Sequence, residues 1–347
     1  MRCQSLILLQ SLDEGVPDGT IFRVDEKEVD VEAMRQSLQE GDMLVQLLVA
    51  SADPYLRGHI KSVGEVKPGS PMHCFVVGRV LASNSGTYGE GDFFGAQLDL
   101  LTVQVVTKSM LARTLHWKLT GYVDESTITY GVGILGMPGS TAYGGVTGIL
   151  CPKEGETLFV SAAAGAVGGL VGMIAKHIYK CKVIGSCGGE DKSNFIKSYY
   201  DYDHAIDYKQ VNNAEELAAK LKEVAPQGID MYFENVGGMH FDAAYDQLRP
   251  RGRIAICGMI SEYNKLEPPK ATFNVGKSIY GQLRIEGFLC HDWLMGRKGN
   301  FLDDMSTWMK EGVVKAQETV FEGIDQWPVG FQSLFTGKNL GKVVIRL

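Results

Sequence analysis

Apolar positions along the chain follow two rhythms. In the first third they form short runs that are apolar or alternating: Ser5–Gln10, Met43–Ser51, Cys74–Ala82 and Leu100–Thr107. Glycines, prolines and acidic residues separate them, the pattern expected of strands in a small β-rich domain. From about Val132 the rhythm changes. Helical stretches near Gly139–Leu150, Val167–Tyr179, Lys192–Tyr199 and Ala214–Ala225 alternate with strand-like runs near Leu158–Ser161, Lys182–Ser186, His204–Asp207, Met231–Glu234 and Arg253–Cys257. Alternating strand and helix predicts a doubly wound parallel sheet. The end of the sequence returns to short apolar runs, with Val343–Leu347 as a strand. The expected architecture is a β-rich domain interrupted by an α/β domain and then resumed, with no internal repeat and no low-complexity segment.

The sharpest local signal lies inside the α/β part. Leu158-Phe159-Val160 reads as a buried strand, Ser161–Gly168 as a tight turn of small residues, and Leu170-Val171-Gly172-Met173-Ile174-Ala175 as the body of a helix. This is the strand–turn–helix of a dinucleotide-binding unit, with Ala163 where the first glycine of G-x-G-x-x-G usually stands. Ala164, Gly165, Ala166, Val167 and Gly168 then form the turn and helix start. Gly165 lets the backbone approach a pyrophosphate, Gly168 lets helix and strand pack closely, and the helix N-terminus offers N–H groups to phosphate. The next strand ends in Ser186-Cys187-Gly188-Gly189, with no carboxylate at the strand end to bind a ribose 2′-hydroxyl. Small residues beside Lys192 suit a 2′-phosphate better, which favours NADPH over NADH. On spacing alone Lys192 reads equally well as a solvated lysine at a helix start.

Composition narrows the class. The chain has 347 residues, 45% hydrophobic and 22% charged, with a formal net charge of −7. That is an ordinary globular composition with room for two cores. An acidic balance argues against binding nucleic acid or an anionic membrane. No apolar run has the length of a membrane span. The first residues lack the apolar core and cleavage site of a signal peptide. The seven cysteines (Cys3, Cys74, Cys151, Cys181, Cys187, Cys257 and Cys290) are scattered and without C-x-x-C spacing, as expected of free thiols in a reducing, cytoplasmic setting. No zinc site is expected: His59, His73 and His116 have no companions at ligand spacing except Cys74 beside His73, and that pair reads as packing at a strand entry.

Six segments, in order, carry a resemblance. They are Asp53-Pro54-Tyr55-Leu56-Arg57, Gly136–Tyr143, the Ala162–Gly168 turn, Tyr232–Gly238, Cys257–Asn264, and Asn339-Leu340-Gly341-Lys342. Together they resemble the zinc-free branch of the medium-chain dehydrogenase/reductases, and within it the leukotriene 12-hydroxydehydrogenase/prostaglandin reductase family of alkenal and enone double-bond reductases. The resemblance implies a Rossmann sheet domain, over residues 129–299, inserted in a GroES-like substrate domain made of residues 1–128 and 300–347. It implies NADPH as cofactor, with Lys192 and Tyr208 at the 2′-phosphate. Met137, Thr141, Asn235, Cys257, Gly258, Phe288 and Asn339 would line the cofactor, and Tyr55 the substrate. It also implies a homodimer joined along a sheet edge, for which Arg284–Leu289 is the candidate strand.

Tyr263 is the candidate for chemistry. When hydride reaches the β-carbon of an enone, negative charge develops on the carbonyl oxygen, and a hydroxyl donor there stabilises the enolate. In the family this tyrosine acts with the nicotinamide ribose 2′-hydroxyl, and solvent can protonate the enol. A loop tyrosine packing on the ribose is the other reading. The chain departs from the family at Gly91–Leu100, at Gly144-Gly145 and at Leu289–Trp293, segments that shape a substrate pocket. Arg57 could hold the Asp53 turn through a salt bridge, and His291 reads as a surface or packing residue, with a pocket acid/base as the other reading. Quinone reduction and non-catalytic NADPH binding are the alternative functions.

Overall fold

The computed structural model describes residues 1–267, 270–271 and 273–347. They divide into two compact units, Met1–Met137 with Glu318–Leu347, and Pro138–Gln317.

The first unit opens with β1 (Arg2–Leu8) and β2 (Phe22–Glu28), an antiparallel pair. It continues through α1 (Val31–Gln36), β3 (Met43–Ser51), α2 (Leu56–His59), β4 (His73–Ser83), β5 (Phe93–Asp99), β6 (Val103–Val106), α3 (Lys108–Leu111) and β7 (His116–Lys118). Asp30 starts α1 by accepting the Glu32 and Ala33 N–H groups on its side chain, and Thr107 caps α3 in the same way. β3 and β4 read as nearly continuous apolar runs because both lie inside a seven-stranded sheet and are largely buried.

The second unit begins within α4 (Met137–Gly144), which runs on into a π-helical turn over Gly145–Leu150. Then follow β8 (Thr157–Val160), α5 (Ala166–Met173) with a second π-helical turn over Ile174–Ile178, β9 (Lys182–Cys187), α6 (Glu190–Ser198), β10 (His204–Asp207), α7 (Ala214–Val224), β11 (Ile229–Glu234), α8 (Met239–Gln247), β12 (Leu248–Ile256), α9 (Val275–Gly281), β13 (Arg284–Gly287), α10 (His291–Leu294) and α11 (Phe301–Lys310). The six strands form one parallel sheet in the order β10-β9-β8-β11-β12-β13. The order runs outward in both directions from β8 and β11, so a topological switch point lies between them, where such sheets bind their ligands.

The chain then returns to the first unit through β14 (Glu318–Glu322), α12 (Trp327–Thr336) and β15 (Lys342–Arg346). β15 sits between β14 and β3. Trp327 and Phe331 of α12 stack at 4.7 Å in the core.

The sheet insertion expected from sequence is present. α11 packs within the α/β unit: Phe301 meets the Tyr143 ring edge-on at 5.9 Å, and Asp304 accepts the Tyr143 hydroxyl at 2.6 Å. β12 starts earlier than Arg253. Pro250 has no N–H to donate, and the strand passes it with a shift in pairing between Leu248 and Arg253 and a positive φ at Arg251.

Candidate active site

The turn between β8 and α5 shows why small residues are needed. Ala162 adopts a left-handed conformation (φ 50°), and Gly165 stands at the helix start without a side-chain cap. The first i→i−4 bond of α5 runs from Gly169 N–H to Gly165 O at 3.0 Å. The N–H groups of Ala166, Val167 and Gly168 therefore precede the helical ladder and are available to an anion. A Cβ on Gly168 would collide with the Ala162 carbonyl. On the helix's other face Gly169 and Gly172 lie against the rings of Tyr200 and Tyr202, and Tyr202 Oη donates to Gly168 O at 2.7 Å. Ala163 is buried and donates to Ser186 O at 2.9 Å, tying the turn to the end of β9.

The end of β9 gathers cations. Lys192, in the first turn of α6, is half-buried, and burial above all pulls its ammonium below the usual lysine pKa, with Cys187 opposing the shift and Lys209 adding to it. Among the described residues neither Lys192 nor Lys209 has an ion-pair partner. Tyr208 and Lys209 close over Gly188: a Cβ there would stand 2.9 Å from Tyr208 Oη and 3.0 Å from Lys209 Cε. Asp207 organises this corner by accepting the N–H groups of Gly189 at 2.8 Å and Lys209 at 3.0 Å. Behind Tyr208 lies His240, whose ring meets it edge-on at 5.4 Å and whose Nε2 bonds Ser186 Oγ at 2.9 Å. Burial pushes the His240 pKa down to about 4, so it is neutral near pH 7.

The ends of β11 and β12 carry the remaining candidates of this unit. Asn235 donates its backbone N–H to Ser161 Oγ (2.9 Å) and its Nδ2 to Ser161 O (2.8 Å). Cys257 and Gly258 donate their N–H groups to Glu234 O at 3.0 and 3.1 Å. The Cys257 thiol is pushed up to about 12, by burial first, so it is no nucleophile at neutral pH. Tyr263 folds back over its own loop, and its Oη accepts the Met259 N–H at 3.2 Å. That contact uses the oxygen and leaves the hydroxyl hydrogen to donate. Burial, chiefly, raises the Tyr263 pKa and keeps the phenol neutral. Phe288 stands between Phe233 and Trp293, edge-on to each at 6.1 Å. Gly144 and Gly148 give Trp293 room, and Gly145 gives Phe288 room. Thr141 is buried within α4, which Met137 opens.

Two residues that sequence reasoning passed over stand out here. Glu234 is 2% exposed, at the tip of β11, with Ser161 against it. The identity of Glu234 was visible inside Tyr232–Gly238. Its role was not, because Ser161 lies 73 positions away.

In the first unit, the Tyr55 ring packs edge-on to His59 (5.1 Å) and Phe75 (6.2 Å). Asn339 Nδ2 donates to Gly341 O at 3.2 Å. A salt bridge from Lys342, at 2.8 Å, holds the Asp53 turn. Lys342 Nζ also donates to Ser51 Oγ (2.6 Å) and Ala52 O (2.9 Å), and Ser51 Oγ donates to Asp53. Arg57, fully buried, donates to the carbonyls of Leu12 and Gly15. His73 enters β4 with Nδ1 3.0 Å from Asp99 Oδ1. In the second unit, His291 is exposed.

The family described as zinc-binding dehydrogenase matches residues 166–306, and the N-terminal domain of oxidoreductase matches residues 6–114. CurA of Vibrio vulnificus, solved in complex with NADPH, superposes with a TM-score of 0.83 at 32% identity, covering 99% of this chain and 98% of that one. The NADP(+)-dependent 2-alkenal reductase of Nicotiana tabacum is 38% identical over 92% of this chain and 93% of its own length. Prostaglandin reductase 1 of Bos taurus is 37% identical over 89% and 90%. The chain belongs to the alkenal and prostaglandin reductase family.

The residues of this family member fit a phosphorylated dinucleotide. The start of α5 has no side-chain cap, the Ala162–Gly168 turn has no side chain larger than a methyl group except Val167, and among the described residues the two lysines beside Tyr208 have no carboxylate paired with them. Although one matching family is described as zinc-binding, no group of three or more His, Cys, Asp or Glu among the described residues is arranged to hold a metal ion. Among the described residues, no helix is long and apolar enough to cross a membrane.

Proposed function

We propose that this protein reduces the C=C bond of α,β-unsaturated aldehydes and ketones with NADPH. The observation that carries the cofactor choice is the half-buried Lys192, with Lys209 and Tyr208, at the end of β9. Two neighbouring lysines, neither with an ion-pair partner among the described residues, suit a 2′-phosphate better than a bare hydroxyl. The reaction class is supported by relatives named as an alkenal reductase and prostaglandin reductases, at 35–38% identity.

NADPH, when bound, supplies the hydride. The N–H groups of Ala166, Val167 and Gly168, with the partial positive charge at the start of α5, bind the pyrophosphate. Within the parallel-sheet unit, Thr141, Asn235, Cys257, Gly258 and Phe288 would bound the rest of the cofactor. Tyr263 Oη donates its hydrogen to the substrate carbonyl oxygen as charge develops there. A neutral phenol with its proton uncommitted is the form this needs. The carbon next to the carbonyl takes its proton from solvent.

The open edge strand β13, with the exposed Ile279, Tyr280 and Leu289 near it in sequence, supports a homodimer formed along that edge. Seven free cysteines support residence in a reducing compartment such as the cytoplasm. The deciding experiment is product analysis with a medium-chain enone and either NADPH or NADH. A saturated ketone formed much faster with NADPH is the expected result. An allylic alcohol would overturn the C=C assignment, and NADPH binding without turnover would point to quinones or to binding alone.

A further inference from the structure

Glu234 is an expensive residue where it stands. A carboxylate at the tip of a central strand, 2% exposed, loses its hydration and persists only if the site returns hydrogen bonds. It receives them on one oxygen only. Oε1 accepts the N–H groups of Val236 (2.6 Å) and Gly237 (2.9 Å), and lies 2.7 Å from Tyr232 Oη and 3.1 Å from Ser161 Oγ. Oε2 is buried and has no hydrogen-bond partner among the described residues. Such one-sidedness shows that the fold uses an acceptor at one point in space, not a pair of charges.

That point joins three segments. Ser161 opens the β8–α5 turn, and its hydroxyl and carbonyl both hold Asn235. Val236 and Gly237 form the turn after β11, where Gly237 takes a positive φ of 79°. The Glu234 carbonyl accepts Cys257 and Gly258, the start of the loop that bears Tyr263, and that loop returns through Ser261, whose Oγ donates to Val236 O at 2.7 Å.

We infer that Glu234 is a positioning residue: acting through Ser161 and the Asn235–Gly237 turn, it holds the cofactor-binding loops of the parallel-sheet unit in register. The functional part rests on the NADPH reading above, while the structural part stands on the hydrogen bonds alone.

The test compares the full-length protein with Glu234→Gln, Glu234→Leu and Ser161→Ala. Two readouts are taken: amide hydrogen exchange at Val236 and Gly237 without ligand, and NADPH affinity by fluorescence titration, alongside kcat at saturating NADPH. Glutamine keeps the acceptor, so its exchange and affinity should stay within about threefold of wild type. Leucine removes it, so both amides should exchange at least about tenfold faster and the NADPH Kd should rise about tenfold, with kcat at saturation changing less. Ser161→Ala should fall between them. Wild-type exchange and affinity in Glu234→Leu would overturn the inference, as would a glutamine variant as impaired as the leucine one. Should Glu234→Leu fail to fold, Ser161→Ala decides: unchanged exchange and affinity would overturn it. A wild-type protein that binds no NADPH refutes the cofactor reading instead, and the exchange data still decide the positioning.

Discussion

Single side chains set the chemistry, and three of them can be tested in isolation. Lys192→Ala removes half of the cationic corner at the end of β9. The KM for NADPH should rise at least about tenfold, as expected for losing a charged hydrogen bond, while that for NADH should hardly move. Equal effects on both cofactors would refute the phosphate assignment. Tyr263→Phe deletes one donor to the developing oxyanion, so kcat for enone reduction should fall about 10²-fold with substrate KM little changed. Stopped-flow measurement of hydride transfer would show that the loss lies in the chemical step. His240 makes a prediction about pH. Its folded pKa, about 4, lies below the ordinary histidine value of 6.5. The neutral ring is therefore the native form, and its contribution to stability is complete above pH 6.5 and is lost as pH falls toward 4. Between pH 7 and pH 5 that loss is worth about 2 kcal/mol. Thermal melts of His240→Gln should accordingly decline less over this interval than those of wild type.

At the level of elements, close approach between backbone segments decides what is tolerated. Gly168→Ala would drive a methyl group into the Ala162 carbonyl. The helix and turn would have to part, so the variant should melt several degrees lower and bind NADPH more weakly, by calorimetry and titration, even though alanine is the better helix former. The same contiguity explains what could be read from the sequence. The β8–α5 turn, β3, and the alternating strands and helices of the second unit each lie within a short window whose periodicity or small-residue run reports directly on local structure. The edges were harder. β2 and β14 alternate weakly because they pair at margins, and β12 hides behind Pro250. The switch-point residues Ser161 and Glu234 and the pair Ser186–His240 gain their meaning only from partners 73 and 54 positions away. The buried partner of Asp53, Lys342, stands 289 positions away and could not be read from its neighbourhood in sequence.

On the scale of the whole molecule, the open β13 edge leads to a measurable expectation: light scattering should report twice the chain mass of 38.0 kDa. Glu286→Pro, placed in the edge strand, should shift that value toward the monomer. A monomeric wild type would remove the dimer proposal and leave the rest standing. The placement of β15 between β14 and β3 has a consequence for how the molecule is made in the cell. Chain synthesis is vectorial, and the parallel-sheet unit, residues 138–317, leaves the ribosome with all of its strands in hand. The β-rich unit does not: β1 to β7 emerge first, yet the Val49–Ser51 end of β3 lacks β15, and Asp53 its buried lysine, until the segment beyond Gln317 is translated. A nascent chain thus carries an open apolar sheet edge through the whole synthesis of the inserted unit, and that interval is where a chaperone has most to protect.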